Sequence, residues 1–349
     1  MIPVFDGHND FLQRMIPAGP DRDQLWLQGD GTGALDLPRM RAGGMAGGFF
    51  AIWAPSGPDP DAELHAIQKQ NPPFALPLPP EVPLAEALTH GFALAGQLMA
   101  MERTGTLSIC KSAAEIRAAM AAGRVAAIMH IEGAEPIADL DALHVWHAMG
   151  LRSLGPVWSR PTRYGHGVPF AFPSSPDTGP GLTGAGKDLV RECNRLRIML
   201  DLSHLNEKGF DDIAALTDAP LVASHSCAHA VSPSSRNLTD RQLRVIAETG
   251  GLVGLNYAIG FLHPEGLRTP MHGFDIILRH LDHLLGILGE DGVALGSDYD
   301  GAEMPEDLSD ASKLQGLVQA MQDHGYGREL TEKIAAGNWI GVLERTWGG

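Results

Sequence analysis

Six residues of metal-ligating type close short apolar runs, and they open the functional reading of this sequence. The first two stand in Val4-Phe5-Asp6-Gly7-His8-Asn9-Asp10. An apolar start, Ile2 and Val4, runs into His8 and Asp10. Side chains two apart on a strand point to the same side, so imidazole and carboxylate would leave the strand end together. A His-x-Asp pair at a strand terminus suits the first of two divalent metals, but alone it is a weak signal. Glu132, His204, His225 and Asp298 end later apolar runs in the same way. Three imidazoles and three carboxylates around one mouth are what two borderline divalent ions need, zinc foremost. A carboxylate such as Glu132 can bridge two ions about 3.5–4 Å apart.

Each residue also has a plainer reading. Singly, His204 and His225 suit strand-end histidines bonded to backbone carbonyls. His130 shares a strand face with Glu132 one layer deeper, as a packed histidine or a group that supports the ligands. His144, His147, His280 and His283 fall on helical stretches as solvated or interface residues. Ser203 and Ser224 precede His204 and His225 and invite a serine-hydrolase reading, but no Gly-x-Ser-x-Gly elbow supports it.

The elements that must position these groups are eight apolar runs, at 2–8, 47–54, 124–132, 151–158, 197–204, 220–225, 251–257 and 292–298. Helical periodicity fills 83–104, 112–122, 140–149, 183–196, 207–216, 240–249, 272–288, 310–324 and 328–345. Ser112 and Glu115 form a candidate capping box. Residues 11–46, 55–84 and 159–182 read as irregular connections. Near-continuous apolar strands alternating with helices predict an α/β fold, a (β/α)8 TIM-like barrel with chemistry at the carboxyl ends of its strands. An open doubly wound sheet is the rival, but no Gly-x-Gly-x-x-Gly follows any strand. No repeat or linker divides the chain, so a single domain over 1–349 is expected.

The bulk numbers narrow the class. A formal charge of −16 over 349 residues argues against nucleic-acid and anionic-membrane partners and suits metals held by carboxylates. Three cysteines at no metal-like spacing point to a reducing cytoplasm. Neither a leader nor an apolar run of about 18 residues is legible.

At these residues the chain resembles the membrane (renal) dipeptidase family of binuclear zinc metallopeptidases, as a bacterial cytoplasmic-type member. The matching pieces are Asp6-Gly-His-Asn-Asp10, Ile131-Glu-Gly133, Asp201-Leu-Ser-His204, Ala223-Ser-His-Ser226, Ser235-Arg-Asn237, Leu295-Gly-Ser-Asp-Tyr-Asp-Gly301 and Gly337-Asn-Trp339. The resemblance implies a distorted barrel of the metal-dependent hydrolase type holding two Zn2+ per chain. His8 and Asp10 would hold one ion, His204 and His225 the other, with Glu132 bridging. Asp298 would complete the first site and handle the proton, and Arg236 would grip the substrate's terminal carboxylate. A homodimer acting on a small dipeptide is implied as well.

One departure stands out. Family members generally carry a substrate-contacting histidine at the fourth strand end, where this chain has Trp158 in Gly155-Pro-Val-Trp158. Trp donates one hydrogen bond and carries no charge, and losing an oxyanion donor costs about 10²–10³ in turnover. His166 or Arg160 from the following loop are candidate substitutes. The expected function is therefore dipeptide hydrolysis by a metal-bridging hydroxide, with Asp298 and Glu132 as the catalytic carboxylates. Hydrolysis of another amide, an N-acyl amino acid or a β-lactam, is the alternative that Trp158 motivates. A non-catalytic metal-binding protein on the same scaffold is a third.

Overall fold

Eight parallel strands curl into the expected barrel in the computed structural model, which describes residues 1–57 and 70–348. They are β1 (Val4–Asn9), β2 (Met45–Trp53), β3 (Val125–Glu132), β4 (Leu151–Gly155), β5 (Met199–Leu200), β6 (Val222–Ser226), β7 (Leu252–Leu255) and β8 (Val293–Leu295). β1 to β5 form one sheet in sequential order, and β6 to β8 form another. Two single-residue parallel bridges join them, Asp201 with Val222 and Asn9 with Tyr299. A further strand, Leu107–Ile109, pairs with the first half of β3.

The period-2 alternation of a strand separates two cores. On β3, Ala126 and Ile128 face the barrel interior, where they meet Phe5, Phe49, Val222 and Ala294 from neighbouring strands. Val125, Ala127, Met129 and Ile131 face the helices outside. Continuing the inner row places His130 and then Glu132 at the carboxyl end of the barrel. The other end is plugged by helix Asn338–Trp347, whose Trp339 is fully buried and donates Nε1–H to the Leu295 carbonyl at 2.8 Å.

Several expected elements differ. The fourth strand stops at Gly155, because Pro156 has no N–H to extend the ladder. The fifth shrinks to two residues, so Trp158 and His204 stand on loops. Residues 11–46 carry three helices, Phe11–Ala18, Arg22–Gln28 and Leu37–Gly43, where an irregular connection is expected from the sequence. The last is started by Asp36, whose side chain accepts from Arg39 N at 2.7 Å with Pro38 in the first turn. The capping box at Ser112 is half formed: Ser112 accepts from Glu115 N at 3.2 Å, while Glu115 reaches Lys111 N at 2.7 Å. The helical stretches at 310–324 and 328–345 resolve into Leu314–Met321, Gly327–Glu332 and Asn338–Trp347, with wider turns between and Gly325 at φ 103°. The proline-rich 55–84 stretch lies partly outside the described residues; its Phe74–Ala75 pairs with Ala171–Phe172. Among the described residues no helix is long and apolar enough to cross a membrane.

Candidate metal centre

All six ligand candidates converge at the carboxyl end of the barrel. Two irregularities in the strands aim them. The β1–β2 register shifts between Asp6 and Asn9, and the β6–β7 register shifts between Ala223 and Ser226. Phe5 and Val222 face the interior, so strict alternation would turn His8 and His225 outward; each shift returns its histidine to the site. His204 and Asp298 lie just beyond their strands, each at φ 66°, a left-handed backbone that turns the side chain back over the barrel mouth.

The donor atoms fall into two groups that share Glu132. Glu132 Oε2 lies 3.6 Å from His8 Nε2, which lies 3.4 Å from Asp10 Oδ2. Glu132 Oε1 lies 3.1 Å from His204 Nε2 and 3.3 Å from His225 Nε2, and the two imidazole nitrogens are 3.2 Å apart. Asp298 joins His8 and His225 in a third overlapping cluster. Ligands on a tetrahedron with bonds near 2.1 Å stand about 3.4 Å apart, the spacing seen here.

The hydrogen bonds behind the ligands fix which nitrogen is free. Asp201 Oδ2 is an acceptor only, so Ser224 Oγ, 2.5 Å away, must donate to it. Ser224 Oγ then accepts from His225 Nδ1–H at 2.7 Å, which leaves the Nε2 lone pair facing Glu132. Ser159 Oγ sits 2.8 Å from His204 Nδ1, so Nε2 is the ring nitrogen that faces Glu132. Burial, helped by the Arg236 charge and, at His225, first by His8, holds both imidazoles well below their usual pKa and therefore neutral. His8 is fully buried, and among the described residues neither ring nitrogen has a hydrogen-bond partner.

The charges ask for cations. Burial pushes Glu132 up to about 8 and raises Asp298, with His8 opposing both. Against burial, Glu132 and then Asp10 raise His8 to about 10. Three buried carboxylates thus face neutral imidazoles and one orphaned ring, and this donor set fits two divalent ions.

Other expected residues divide. Arg236 is 3% exposed; its Nη1 donates to Ser226 Oγ at 3.2 Å and its Nη2 to the His225 carbonyl at 3.2 Å. Among the described residues its Nε has no partner and its guanidinium no ion pair. Trp158 lines the cavity, its ring 5.6 Å from His204 and 5.3 Å from Trp53. Arg160 turns away from the site: its Nε donates to Glu135 Oε1 at 2.5 Å, and its guanidinium lies 5.0 Å from the Trp158 ring. His166 lies outside the cavity lining, with Nδ1 3.3 Å from the Gly181 carbonyl. His130 stays below the ligands, with Nδ1 2.8 Å from Ser153 Oγ and its ring edge-on to His8.

Three contributors are not singled out by sequence reasoning. Asn256 donates Nδ2–H to Asp298 Oδ2 at 2.8 Å. Asp201 organises Ser203 and Ser224. Arg268 lines the cavity. Asp201 has a signal in retrospect, a carboxylate inside a strand run two residues before a serine-histidine pair. The cavity beside the ligands holds about 620 Å3 and is walled by Trp53, Trp158, Phe170 and Phe261.

Comparison with known proteins places this geometry in a family. A family model described as membrane dipeptidase (Peptidase family M19) matches residues 1–347. A metallo peptidase from Rhodobacter sphaeroides, solved with a phosphinate mimic of the dipeptide L-Ala-D-Ala, is 59% identical with a TM-score of 0.96 over 99% of each chain. The probable dipeptidase PvdM from Pseudomonas aeruginosa shares the fold at 22% identity, with a TM-score of 0.82 over 99% of this chain and 96% of that one. An uncharacterized protein in the pqqA 5' region of Klebsiella pneumoniae is 43% identical over 263 residues, 75% of this chain and 97% of its own length.

Proposed function

Because the chain belongs to the membrane dipeptidase family, peptidase family M19, we propose that it is a binuclear zinc dipeptidase hydrolysing short substrates with a free terminal carboxylate. The observation that carries this reading is the division of Glu132, whose two oxygens face different histidine groups. His8, Asp10 and Asp298 would hold one ion, His204 and His225 the other, with Glu132 between them. When bound, two such ions supply Lewis acidity, lowering the pKa of a water and polarising the scissile carbonyl.

The protein's own groups do the rest. Asp298, its Oδ2 oriented by Asn256, takes the proton of the attacking water and delivers it to the leaving amine. Arg236 offers a buried guanidinium without a carboxylate partner among the described residues, suited to a substrate carboxylate and so to short peptides. Trp158, Trp53 and Phe170 keep water from the reacting bond. The L-Ala-D-Ala mimic carried by the Rhodobacter sphaeroides relative supports a dipeptide, with a D residue accepted at the C-terminal position. Trp158 still favours a second reading, an N-acyl amino acid or β-lactam. The convergence of all six ligands supports catalysis over a purely metal-binding role. The reading also includes a homodimer in the cytoplasm, which the buried free cysteines Cys110, Cys193 and Cys227 suit.

The test is elemental analysis of purified protein, paired with hydrolysis of L-Ala-D-Ala, L-Ala-L-Ala and N-acetyl-alanine. About two zinc per chain with dipeptide turnover is the expected result, and Glu132→Gln is expected to lower both. Protein that takes up no metal after reconstitution overturns the reading. Metal uptake with turnover of the acyl amino acid alone favours the second one.

A further inference from the structure

Apart from the candidate ligand His204, three basic side chains line the cavity, and two of them are occupied. Arg14 donates to Asp30 at 2.8 Å and lies 3.7 Å from Asp300. His90 Nε2 lies 2.9 Å from Gln13 Oε1. Arg268 differs. Among the described residues no carboxylate lies within the 4.0 Å of an ion pair, and its buried Nε has no hydrogen-bond partner. Burial draws its pKa down, with Glu303 opposing, yet a guanidinium stays charged. Arg268 is half-buried, and a guanidinium drawn that far from water favours a ligand that returns a negative charge to it.

Its seat is specific. Helix Ile259–Leu262 lines the cavity through Phe261, and Gly260 of that helix leaves room for the guanidinium. A Cβ at residue 260 would stand 2.5 Å from Arg268 Cζ and 2.7 Å from each Nη, so the fork lies face-on against the glycine. Gly260 has no positive φ, so what the site needs from it is space. The next residue packs against a second guanidinium, a buried one: Arg236 Cζ lies 5.6 Å from the centre of the Phe261 ring. Adjacent Cα atoms are about 3.8 Å apart. One short helix therefore touches both guanidiniums, Arg268 of the cavity lining against Gly260 and Arg236 against the Phe261 ring.

We propose that Arg268 is a specificity residue that receives the side-chain carboxylate of an acidic residue at the C-terminal position of the dipeptide, while Arg236 takes the main-chain carboxylate. This assignment rests on the dipeptidase reading above. A cavity of about 620 Å3 has room for a dipeptide with a side chain of that length. Discrimination against the neutral amide follows from the same chemistry. Glutamine matches glutamate in shape but leaves the guanidinium unpaired, and sites that bury a polar group reject ligands that fail to satisfy it.

The experiment compares kcat/KM for L-Ala-D-Glu and L-Ala-D-Gln on zinc-loaded wild type, Arg268→Met, Arg268→Lys and Gly260→Ala. Wild type is expected to favour the glutamate peptide by about tenfold or more. The ratio falls toward one in Arg268→Met and is partly kept in Arg268→Lys, which retains the charge. It also drops in Gly260→Ala, which keeps the arginine but fills its seat. A wild-type ratio near one overturns the assignment without any variant. A ratio that survives Arg268→Met overturns it too, and so does an equal loss on both peptides, which would give Arg268 the main-chain carboxylate. Turnover of L-Ala-D-Ala reports the dipeptidase reading separately. Wild type that cleaves it with a Glu/Gln ratio near one refutes Arg268 alone, whereas loaded wild type that cleaves none of the three refutes both.

Discussion

Replacing Asp201 by Asn keeps shape and volume but reverses a chain of protons that ends at the metal centre. Asp201 is 1% exposed, and its Oδ1 accepts two backbone N–H groups, from Ser203 at 3.0 Å and Ser224 at 2.7 Å. An asparagine must keep its carbonyl oxygen there, because an amide NH2 would meet both donors head-on. The NH2 then takes the Oδ2 position and donates to Ser224 Oγ, which in wild type donates to the carboxylate. Ser224 Oγ is released to donate to His225 Nδ1, and the imidazole proton moves to Nε2, the nitrogen needed for the ion. Disturbing a group that orients a metal-bound histidine typically costs about 10–100-fold in metal affinity. Loss of hydrogen bonds to a buried charge adds about 1.5–3 kcal/mol of destabilisation. Zinc titration against a chromophoric chelator at pH 7 is expected to show one of two sites falling by that factor, with the other within about threefold of wild type. Urea unfolding of the metal-free protein reads the stability loss apart from metal. Wild-type affinity at both sites in a folded Asp201→Asn protein would refute the proton accounting.

Two further outcomes concern groups away from the ligands. Arg160 and Glu135 form an ion pair with both side chains 0% exposed, so Arg160→Met should destabilise by about 3–5 kcal/mol by stranding a buried carboxylate. Urea unfolding should show most of that loss recovered in Arg160→Met/Glu135→Leu; a single variant within about 1 kcal/mol of wild type would show the carboxylate was never stranded. His280 is held neutral by burial, its pKa lowered from 6.5 to about 4, with Ala228 N donating to Nδ1 and Nε2 facing the Leu262 carbonyl. A histidine with a depressed folded pKa binds its proton first in the unfolded chain, so stability is lost as pH falls from about 6.5 toward 4. The stability gap between wild type and His280→Gln should therefore shrink by about 2 kcal/mol between pH 7 and pH 5. A gap that does not change with pH would contradict the buried neutral ring.

The barrel and the convergence of its candidate ligands were legible because both obey short-range rules. Apolar strand runs show in sequence, and a parallel barrel confines chemistry to their carboxyl ends, so reading those ends finds His8, Asp10, Glu132, His204, His225 and Asp298 together. Strand lengths were less legible. Pro156 and the left-handed residues Arg197 and His204 cut β4 and β5 short, although the flanking side chains remain apolar. The helices in 11–46 were hidden by Pro17 and by the glycines around them, while the cap at Asp36 was the one local sign. The supports were hidden for another reason. Asn256 meets Asp298 across 42 residues and Ser224 meets Asp201 across 23, and no local pattern reports such encounters. His166 and Arg160 show the converse: each is close in sequence to Trp158, yet one faces Gly181 and the other Glu135.

The two sheets meet through single-residue bridges beside the ligands, and this has a consequence for biosynthesis. His8, Asp10, Glu132 and His204 belong to one sheet or the loops that leave it, and His225 and Asp298 to the other. Asp6 accepts from Ser297, 291 residues later, and the Asp298 N–H donates to the His8 carbonyl. A chain emerging from the ribosome presents His8 and Asp10 early, but cannot surround them until residue 298 has also emerged. The full set of candidate ligands therefore comes together only after translation has passed the last strand and both sheets have found each other.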